Sequence, residues 1–300
     1  NPPVVAVMVV HEPGPWFTEV LDSLVLQDYA NLRTLVLVSG DSDEAVELVN
    51  QRLPDAVIRQ VAGDPGFGAS ANEVLDLVEG DNGFFCFLHD DVALERSTIR
   101  LLVEELYRSN AGIVGPKLVE WEDRRILQRV GLGVDAFGEV DTYLQPGEAD
   151  QEQHDSVSDV FALPSACMLI RADLFRALRG FSPSIRFHGD DVELCWRAHL
   201  GGARSVVAPL ARARHIGALT THRPDLDHQA MAARNRMFTV ATLTGAGRLP
   251  LVMIRHLTLT LGQLIVGLFT GTAGRAFDAL RATLGLIPRV LGITARRRDV

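Results

Sequence analysis

Apolar, strand-like runs alternate with helix-like segments over residues 1–110, and this alternation limits the folds open to the chain more than any other feature. Val4–Val10 is a nearly continuous run of β-branched residues, as is typical of a strand covered on both faces, and residues 32–38 predict a second buried strand. Residues 16–27, between them, repeat apolar side chains at helical spacing. The alternation predicts an α/β fold with a Rossmann-like, mostly parallel sheet flanked by helices.

The charge of the chain is divided unevenly along its length. The total is −9, but eight arginines against two aspartates from Gly245 onward give the tail +6 and leave −15 for the residues before it. Binding to a phosphate backbone requires clustered lysine and arginine, so the acidic body argues against a nucleic-acid partner. Cys86, Cys167 and Cys195 lie in apolar surroundings and predict a reducing compartment, without a disulfide framework or a zinc cluster.

Two adjacent carboxylates follow the aromatic-rich run 84–88, which is predicted to be a buried strand. His89-Asp90-Asp91 therefore falls at the carboxyl end of that strand, where open α/β sheets bind their ligands. Two acidic groups would repel each other and lose hydration there unless a cation compensated them. Oxygen ligands of this kind suit Mg²⁺ or Mn²⁺ together with substrate phosphates. A solvated turn that simply ends the strand is the alternative for this motif alone.

Further polar residues follow the other predicted strands at the same edge of the sheet. His11-Glu12 ends the first strand, residues 39–43 end the second, and the glycine-rich loop 64–72 leads into a helix predicted over 69–78. Glycines let the backbone approach a ligand closely at a helix N-terminus, so these segments together predict a nucleotide-diphosphate site. The loop matches neither the P-loop nor the dinucleotide fingerprint, which argues against an ATPase or a dehydrogenase.

The β-α rhythm breaks after a strand predicted over 113–117. Residues 119–155 are polar and irregular, as expected of a binding or lid segment within a folded domain. The sequence then predicts an apolar strand over 160–170, a short helix over 171–178 and a final strand over 203–209.

The acidic cluster Asp190-Asp191-Val192-Glu193 opens a predicted helix. Asp190 and Glu193 have the spacing of a capping box, which is the structural role expected for such a cluster. Asp191 is not needed for that box. The helix dipole stabilises an ionised carboxylate in the first turn, so Asp191 is a candidate base near neutral pH, and ordinary capping is the alternative.

The order of these motifs resembles that of family 2 glycosyltransferases of the GT-A fold. The similarity covers about residues 4–217, and six motifs in one order are more specific than any single motif. They are residues 23–29, the loop 66–72, Leu88-His89-Asp90-Asp91-Val92 where the family has its metal-binding DxD, residues 165–171, Gly180-Phe181, and residues 190–197 where the family has its catalytic ED motif. The glycine loop combined with His215 is most similar to the rhamnosyl- and galactofuranosyl-transferase branches, which act on cell-envelope glycans.

The resemblance implies a role for each matching residue. Asp191 matches the general base, Asp91 the last position of DxD, and His215 a histidine that completes the metal site in some members. His89 replaces the first aspartate of DxD and is the third candidate ligand, with phosphate oxygens expected to complete the metal shell. The other implied roles are donor binding by His11, Glu12, Ser39, Asp41, Gly68, Asn72 and Asp90, and acceptor binding by Asp190, Trp196, Arg234 and Asn235.

The resemblance also implies an inverting glycosyltransferase that depends on Mn²⁺ or Mg²⁺. Asp191 would take the proton of an acceptor hydroxyl while that oxygen attacks the anomeric carbon opposite the nucleotide. The expected donor is a UDP- or dTDP-sugar, and the expected acceptor is a cell-envelope glycan or a polyprenyl-linked sugar. There are two alternatives: a catalytically inactive nucleotide- or glycan-binding module, and a sugar nucleotidyltransferase. Sugar nucleotidyltransferases have a basic triphosphate loop near the start of the chain, whereas Arg33 is the only Lys or Arg in residues 1–50.

The C-terminal part of the chain combines apolar and basic residues. Residues 257–274 carry no charge and arginines recur on both sides, which favours interfacial helices on an anionic membrane, with a membrane span or helices packed on the protein as alternatives. We expect a GT-A domain over 1–222, with a nucleotide-sugar half (1–118) and an acceptor half (119–222), and a helical extension over 223–300 at the cytoplasmic face of the cell membrane. Since the chain begins without methionine, we also expect it to be a segment of a longer protein.

Overall fold

Within the described residues, ten strands form one mixed sheet and two more form a separate two-stranded sheet. The computed structural model describes residues 1–40, 42–135, 138–219, 223–224, 226–245 and 247–270, so Asp41 and the tail beyond 270 lie outside the described residues. The strands are β1 (Val4–Val10), β2 (Leu32–Ser39), β3 (Val57–Val61), β4 (Phe84–His89), β5 (Val92–Leu94), β6 (Ile113–Glu120), β7 (Leu127–Arg129), β8 (Gly133–Val134), β9 (Val140–Asp141), β10 (Ser158–Val160), β11 (Cys167–Arg171) and β12 (Ser205–His215). The helices are α1 (Phe17–Val25), α2 (Asp43–Arg52), α3 (Phe67–Ala71), α4 (Val74–Leu77), α5 (Thr98–Ser109), α6 (Ala172–Ala177), α7 (Asp190–Leu200), α8 (His228–Leu243) and α9 (Leu249–Thr270).

β1 lies inside the sheet because its aliphatic run is covered on both faces, with six of its seven residues buried. It pairs in parallel with β2 and with β4, and β2 pairs in parallel with β3. The α/β fold predicted from the alternation of strands and helices is therefore confirmed. Because these strands are parallel, their carboxyl ends meet at one edge, which is where the polar residues following each strand lie.

The other half of the sheet departs from the prediction because the apolar run 160–170 is not one strand. It divides into β10 and β11 around Pro164, which has no N–H to contribute to a ladder. β11 runs antiparallel between β4 and β6, while β6 is parallel to β12. The sheet is therefore mixed, in the order β10-β12-β6-β11-β4-β1-β2-β3, with β5 paired to β12 and β7 to β6.

The last strand extends beyond the residue at which the prediction ends it. β12 reaches His215 because a bulge spanning Pro209 accommodates the proline without ending the strand. The C-terminal part of β12 pairs antiparallel with β5, and His215 lies opposite Val92. This register brings His215 beside Asp91, the residue that precedes β5.

The chain divides into two compact units. The first contains Asn1–Gly133 and Asp141–Leu219, and the second contains Val134–Val140 and Thr220–Val300. The division after Leu219 is close to the expected boundary at 222, whereas residues 134–140 join the second unit instead of the acceptor half. The described part of the second unit contains α8 and α9, so the C-terminal region is helical as predicted.

α9 exposes apolar side chains along its whole length. More than half of the surface of each of the following is accessible: Leu251, Ile254, Ile265, Val266, Leu268 and Phe269. The stretch Leu249–Phe269 has the length and composition of a membrane-crossing helix, the one such stretch among the residues that the structure describes, and it is 7% buried. Exposure of this extent leaves a large apolar surface in contact with water.

Two glycines let the loop before α3 pack closely against the segment before α7. A Cβ on Gly66 would lie 2.0 Å from the carbonyl oxygen of Arg186, and a Cβ on Gly68 would lie 2.8 Å from the Cβ of Phe181. The Arg186 guanidinium donates from Nε to the Asp64 carbonyl at 2.8 Å and from Nη2 to Asp64 Oδ2 at 2.9 Å. The glycines therefore make room for the protein's own chain, and their approach to a ligand stays a prediction.

Substituting Gly66 tests this close contact. Gly66 has φ +92°, and Gly63 in the same loop has φ +70° with open space where a Cβ would lie. We expect Gly63→Ala to lower the free energy of unfolding by about 1 kcal/mol through backbone strain alone. Gly66→Ala adds a clash with backbone, so its loss should be about 3 kcal/mol or more. Urea denaturation measures both variants, and equal losses would contradict the tight contact with Arg186.

Candidate active site at the carboxyl edge of the sheet

Three side chains that can ligate a metal ion meet at the end of β4. One ligand atom from each of His89, Asp91 and His215 lies within 4.8 Å of the other two. His89 is the last residue of β4, Asp91 precedes β5 and His215 ends β12, so the pairing of β5 with β12 brings the three together. The three candidate ligands chosen from the sequence are therefore neighbours in the structure, and their metal-binding role stays a prediction.

The carboxylate of Asp91 has one satisfied and one unsatisfied oxygen. It is buried; Oδ2 accepts from the Ala218 N–H at 2.8 Å, while Oδ1 has no hydrogen-bond partner. His215 Nε2 lies 3.4 Å from Oδ1, and His89 Nδ1 lies 3.9 Å from it. A divalent cation fits this arrangement because it would satisfy the buried oxygen that the protein leaves unpaired, with two imidazole nitrogens as further ligands.

The protonation states of these groups suit metal binding. Burial acts to raise the pKa of Asp91, but the nearby His215 ring, together with His89 and the Ala218 N–H, holds that pKa well below its ordinary value. Burial lowers the pKa of His89 to about 4, against the attraction of Asp91. At neutral pH Asp91 is therefore anionic and His89 is neutral with a lone pair, which is how both groups bind metals.

His11, Ser39 and Asp90 form a second cluster where β1, β2 and β4 end. The His11 backbone N–H donates to Asp90 Oδ2 at 2.9 Å, and His11 Nδ1 lies 3.0 Å from Ser39 Oγ. His11 Nε2 lies 3.8 Å from Asp64 Oδ2, a residue to which the sequence assigned no role. Burial raises the pKa of Asp90 to about 7, an effect that the His11 N–H reduces. Three predicted donor-binding residues thus share one edge of the sheet.

The other predicted donor-binding residues have different surroundings. Asn72 uses its amide on the backbone of Phe181, donating from Nδ2 to the carbonyl at 2.9 Å and accepting at Oδ1 from the N–H at 2.8 Å. Gly68 packs against the same phenylalanine. Asn72 and Gly68 therefore both contribute to packing against Phe181, and their roles in donor binding stay predictions. Glu12 is exposed and has φ +48°.

The acidic cluster at the start of α7 does not form the predicted capping box. The N-cap is Gly189, one residue before the position that the box requires, so Glu193 lies too far along the helix to reach back. The Glu193 carboxylate instead accepts from Arg197, with 2.7 Å between Oε2 and Nη2. Asp190 and Asp191 are consequently adjacent residues in the first turn of α7, and helix capping does not account for the presence of Asp190 there.

Burial controls the protonation of this aspartate pair. It raises the pKa of Asp190 to about 7, and the charge of Asp191 adds to the increase. Burial also raises the pKa of Asp191, against the Val192 N–H that donates to its Oδ1 at 2.8 Å. The helix dipole favours the ionised form of Asp191, and burial acts in the opposite direction. A carboxylate tuned toward neutral pH is suited to take up a proton during a reaction.

Ser165 connects the metal-binding group with the aspartate pair, and the sequence reasoning gave it no role. Its Oγ lies 3.4 Å from His89 Nε2. The Ser165 hydroxyl also acts to lower the pKa of Asp190, and the Ser165 backbone acts to lower that of Asp191, both against the effect of burial. The signal that marks it is the Pro164-Ser165 turn, which interrupts an apolar run at the ligand-binding edge.

The predicted acceptor-binding residues are distributed over both units. Trp196 is half-buried on α7, with its ring edge-on to Phe161 and 5.4 Å between centroids. Arg234 and Asn235 belong to α8, where Arg234 is exposed and Asn235 is buried. Their roles toward an acceptor stay predictions, as does that of Asp190, whose Oδ2 is buried without a hydrogen-bond partner.

Sequence comparison finds a glycosyltransferase among known proteins. Over 150 residues the chain is 29% identical to the pre-mycofactocin glycosyltransferase of Mycobacterium tuberculosis. The matched segment is 49% of this chain and 30% of that protein, so the chain corresponds to less than a third of its length.

Structural comparison finds GT-A glycosyltransferases. GalNAc-T7 with UDP, GalNAc and Mn²⁺ superposes with a TM-score of 0.62 at 13% identity, over 80% of this chain and 48% of that one. Residues 1–349 of Staphylococcus aureus TarS give 0.59 at 15% identity, over 97% and 83% of the two chains. The mannosyltransferase PcManGT of Pyrobaculum calidifontis with GDP-Man and Mn²⁺ gives 0.58 at 15% identity, over 95% and 87%. At these identities the similarity establishes the fold.

The family described as "Glycosyltransferase like family 2" matches residues 2–238. The match includes the whole mixed sheet, the group around Asp91 and the aspartate pair at the start of α7. It agrees with the GT-A fold of the structural neighbours and with the resemblance that the order of motifs had indicated. The chain belongs to glycosyltransferase family 2 and has the GT-A fold.

Proposed function

We propose that this glycosyltransferase transfers a sugar from a nucleotide-sugar donor to an acceptor hydroxyl with inversion, and that it depends on a divalent metal ion. The observation that carries the proposal is the hydroxyl of Ser165, which contacts both His89 of the metal-binding group and Asp190 of the aspartate pair. The residues that would hold the donor diphosphate are thus linked to the residues that would take the proton. Intact Asp91, Asp191 and His215 favour an active enzyme over a binding module.

Asp191 is the base in the proposed mechanism. Its carboxylate takes the proton of the acceptor hydroxyl while that oxygen attacks the anomeric carbon from the face opposite the nucleotide. The bond between the anomeric carbon and the diphosphate oxygen breaks as the new glycosidic bond forms, so a single displacement inverts the configuration. A bound divalent ion supplies positive charge for the departing diphosphate. Asp91 is ionised at neutral pH because its pKa lies well below its ordinary value.

The ligand set favours Mn²⁺ over Mg²⁺. Two of the three candidate ligand atoms are imidazole nitrogens, from His89 and His215, and Mg²⁺ prefers oxygen ligands in a nearly ideal octahedron. The structures of GalNAc-T7 and of the Pyrobaculum mannosyltransferase both contain Mn²⁺. We therefore expect Mn²⁺ to bind more tightly than Mg²⁺.

The proposed substrates rest on similarity to other glycosyltransferases. The neighbouring structures contain UDP or GDP-Man, which supports a nucleotide-sugar donor as a class. On the motif resemblance we propose a UDP- or dTDP-sugar as donor. A cell-envelope glycan or a polyprenyl-linked sugar is the proposed acceptor.

Replacing Asp191 tests the assignment of the base. Asp191→Asn keeps the size of the side chain and removes the proton acceptor, so turnover should fall at least about 100-fold. Donor affinity should stay within a few-fold, because the contacts to the diphosphate are retained. Calorimetric titration of donor and a transfer assay measure the two quantities. Asp55→Asn, an exposed substitution of the same kind, is the control, and unchanged turnover in Asp191→Asn would exclude Asp191 as the base.

Mn²⁺ binding tests the metal site. Asp91→Ala and His215→Ala should each weaken Mn²⁺ binding at least about tenfold, since each removes a ligand. His89→Ala should have the smallest effect, because His89 Nδ1 is the farther of the two nitrogens from Asp91 Oδ1. The control is His154→Ala, which removes a half-buried histidine that pairs with Glu148. Titration followed by electron paramagnetic resonance measures free Mn²⁺, and full transfer activity in excess chelator would remove the metal from the mechanism.

We also propose that α9 lies on an anionic membrane surface at the cytoplasmic face of the cell membrane. The exposed apolar side chains of α9 provide surface for the headgroup boundary, and the tail from Gly245 onward carries a net charge of +6. Arg255 lies within the stretch Leu249–Phe269, where a charge would be costly in hydrocarbon, so interfacial binding is favoured over a membrane span.

Co-sedimentation with liposomes tests this proposal. Attraction of arginines to anionic lipid is screened by salt, whereas burial of a spanning helix is not. We expect binding to anionic vesicles at low salt, substantial release at high salt, and weaker binding of Phe269→Asp, which places a charge at a fully exposed apolar position. Retention on neutral vesicles at high salt would indicate a membrane span. Binding to neither kind of vesicle would mean that α9 packs on protein.

A further inference from the structure

Gln128 holds His215 at two points. Its Nε2 donates to the backbone carbonyl of His215 at 3.1 Å, and its Oε1 lies 2.6 Å from His215 Nδ1. Gln128 is half-buried in the middle of β7. Sequence reasoning placed it in an irregular lid segment and gave it no role.

A bulge in the β6–β7 pair directs Gln128 out of the ladder. Leu118 of β6 pairs with Arg129 of β7, and the next residue of β6, Val119, pairs with Leu127. Gln128 lies between these two partners on β7 and is the extra residue of the bulge. The register shifts at this point. Bulges of this kind reorient a side chain and are frequent next to active sites.

The two contacts determine which way the Gln128 amide points. The His215 carbonyl can only accept a hydrogen bond, so the NH₂ group of Gln128 must face it. Oε1 must then face Nδ1, and an amide oxygen can only accept. His215 Nδ1 therefore carries a proton, and Nε2 is the nitrogen left to face the cation. Nε2 is the nitrogen that lies 3.4 Å from Asp91 Oδ1.

We propose that Gln128 is a positioning residue for the metal site: it fixes the tautomer and the ring orientation of His215 so that Nε2 is presented to the cation. The inference rests on the proposed metal-dependent function. Partners of this kind behind a ligating histidine typically change metal affinity by 10- to 100-fold. Gln128 touches neither substrate nor cation in this role and acts through His215.

The first experiment measures Mn²⁺ affinity of the full chain by electron paramagnetic resonance, with Mn²⁺ alone as the probe. Gln128→Met has a similar length and neither hydrogen bond, so it should bind Mn²⁺ at least about tenfold more weakly than the wild type. Gln128→Glu keeps an acceptor for Nδ1–H and should remain within a few-fold of the wild type. Gln51→Met, the same substitution at an exposed position on α2, is the matched control and should change nothing. Wild-type affinity in Gln128→Met would overturn the proposal.

The second experiment observes the tautomer in the metal-free protein. Nitrogen-15 NMR of the imidazole ring, assigned with His215→Gln, should show a protonated Nδ1 in the wild type. Gln128→Met should show a mixture of the two tautomers, which a merely structural role would not produce. An unchanged tautomer in Gln128→Met would overturn the proposal.

The two experiments separate failure of this inference from failure of the proposed function. If the wild type does not bind Mn²⁺, the metal-dependent function fails and the inferred role toward the cation fails with it, although the NMR result still reports on the contact. If the wild type binds Mn²⁺ and Gln128→Met binds equally well with an unchanged tautomer, only the role of Gln128 is overturned.

Discussion

The removal of carboxylates from water at the carboxyl edge of the sheet is the constraint on which the rest of the site depends. Asp91 and Asp190 are buried and Asp90 is half-buried, and an ionised group without compensation in such surroundings costs several kcal/mol. Asp91 is compensated by His215 and stays ionised, whereas burial raises the pKa of Asp90 and of Asp190 to about 7. One edge of the sheet therefore offers both an anionic ligand for a cation and carboxylates that can exchange a proton near neutrality.

Two irregular strands make this arrangement possible. The bulge in β12 carries the strand past Pro209 to His215, and the bulge in the β6–β7 pair directs Gln128 at the same histidine. A regular β12 that stopped at Pro209 would not reach Asp91. A bulge interrupts the backbone hydrogen bonds of the ladder and bends the chain. Each of these two bulges therefore loses some strand pairing and in return reorients one side chain toward the site. The contacts of Gly66 with Arg186 and of Asn72 with Phe181 hold the neighbouring loops in place.

The local pattern of residue types was sufficient to predict some strands and helices and insufficient for others. β1 was predicted at its observed bounds because a nearly continuous run of β-branched residues is typical of a strand covered on both faces. The prediction of a single strand over residues 160–170 was wrong, because apolar composition does not reveal the turn at Pro164. The helix predicted over 69–78 divides into α3 and α4 at Asn72, whose amide bonds to Phe181, distant in sequence. The capping box predicted for Asp190 and Glu193 does not form, because α7 begins one residue earlier than the spacing of these residues suggested.

The sequence by itself determined the α/β class, the positions at which polar residues follow buried strands, and the apolar and basic character of the C-terminal region, because each depends on the order and type of nearby residues. Only the tertiary structure decided that His215 meets Asp91, that Gln128 holds His215, and that burial raises the pKa of Asp191. Those outcomes depend on strand register and on burial. Both are set by contacts between segments far apart in the chain, which no local pattern of residues encodes.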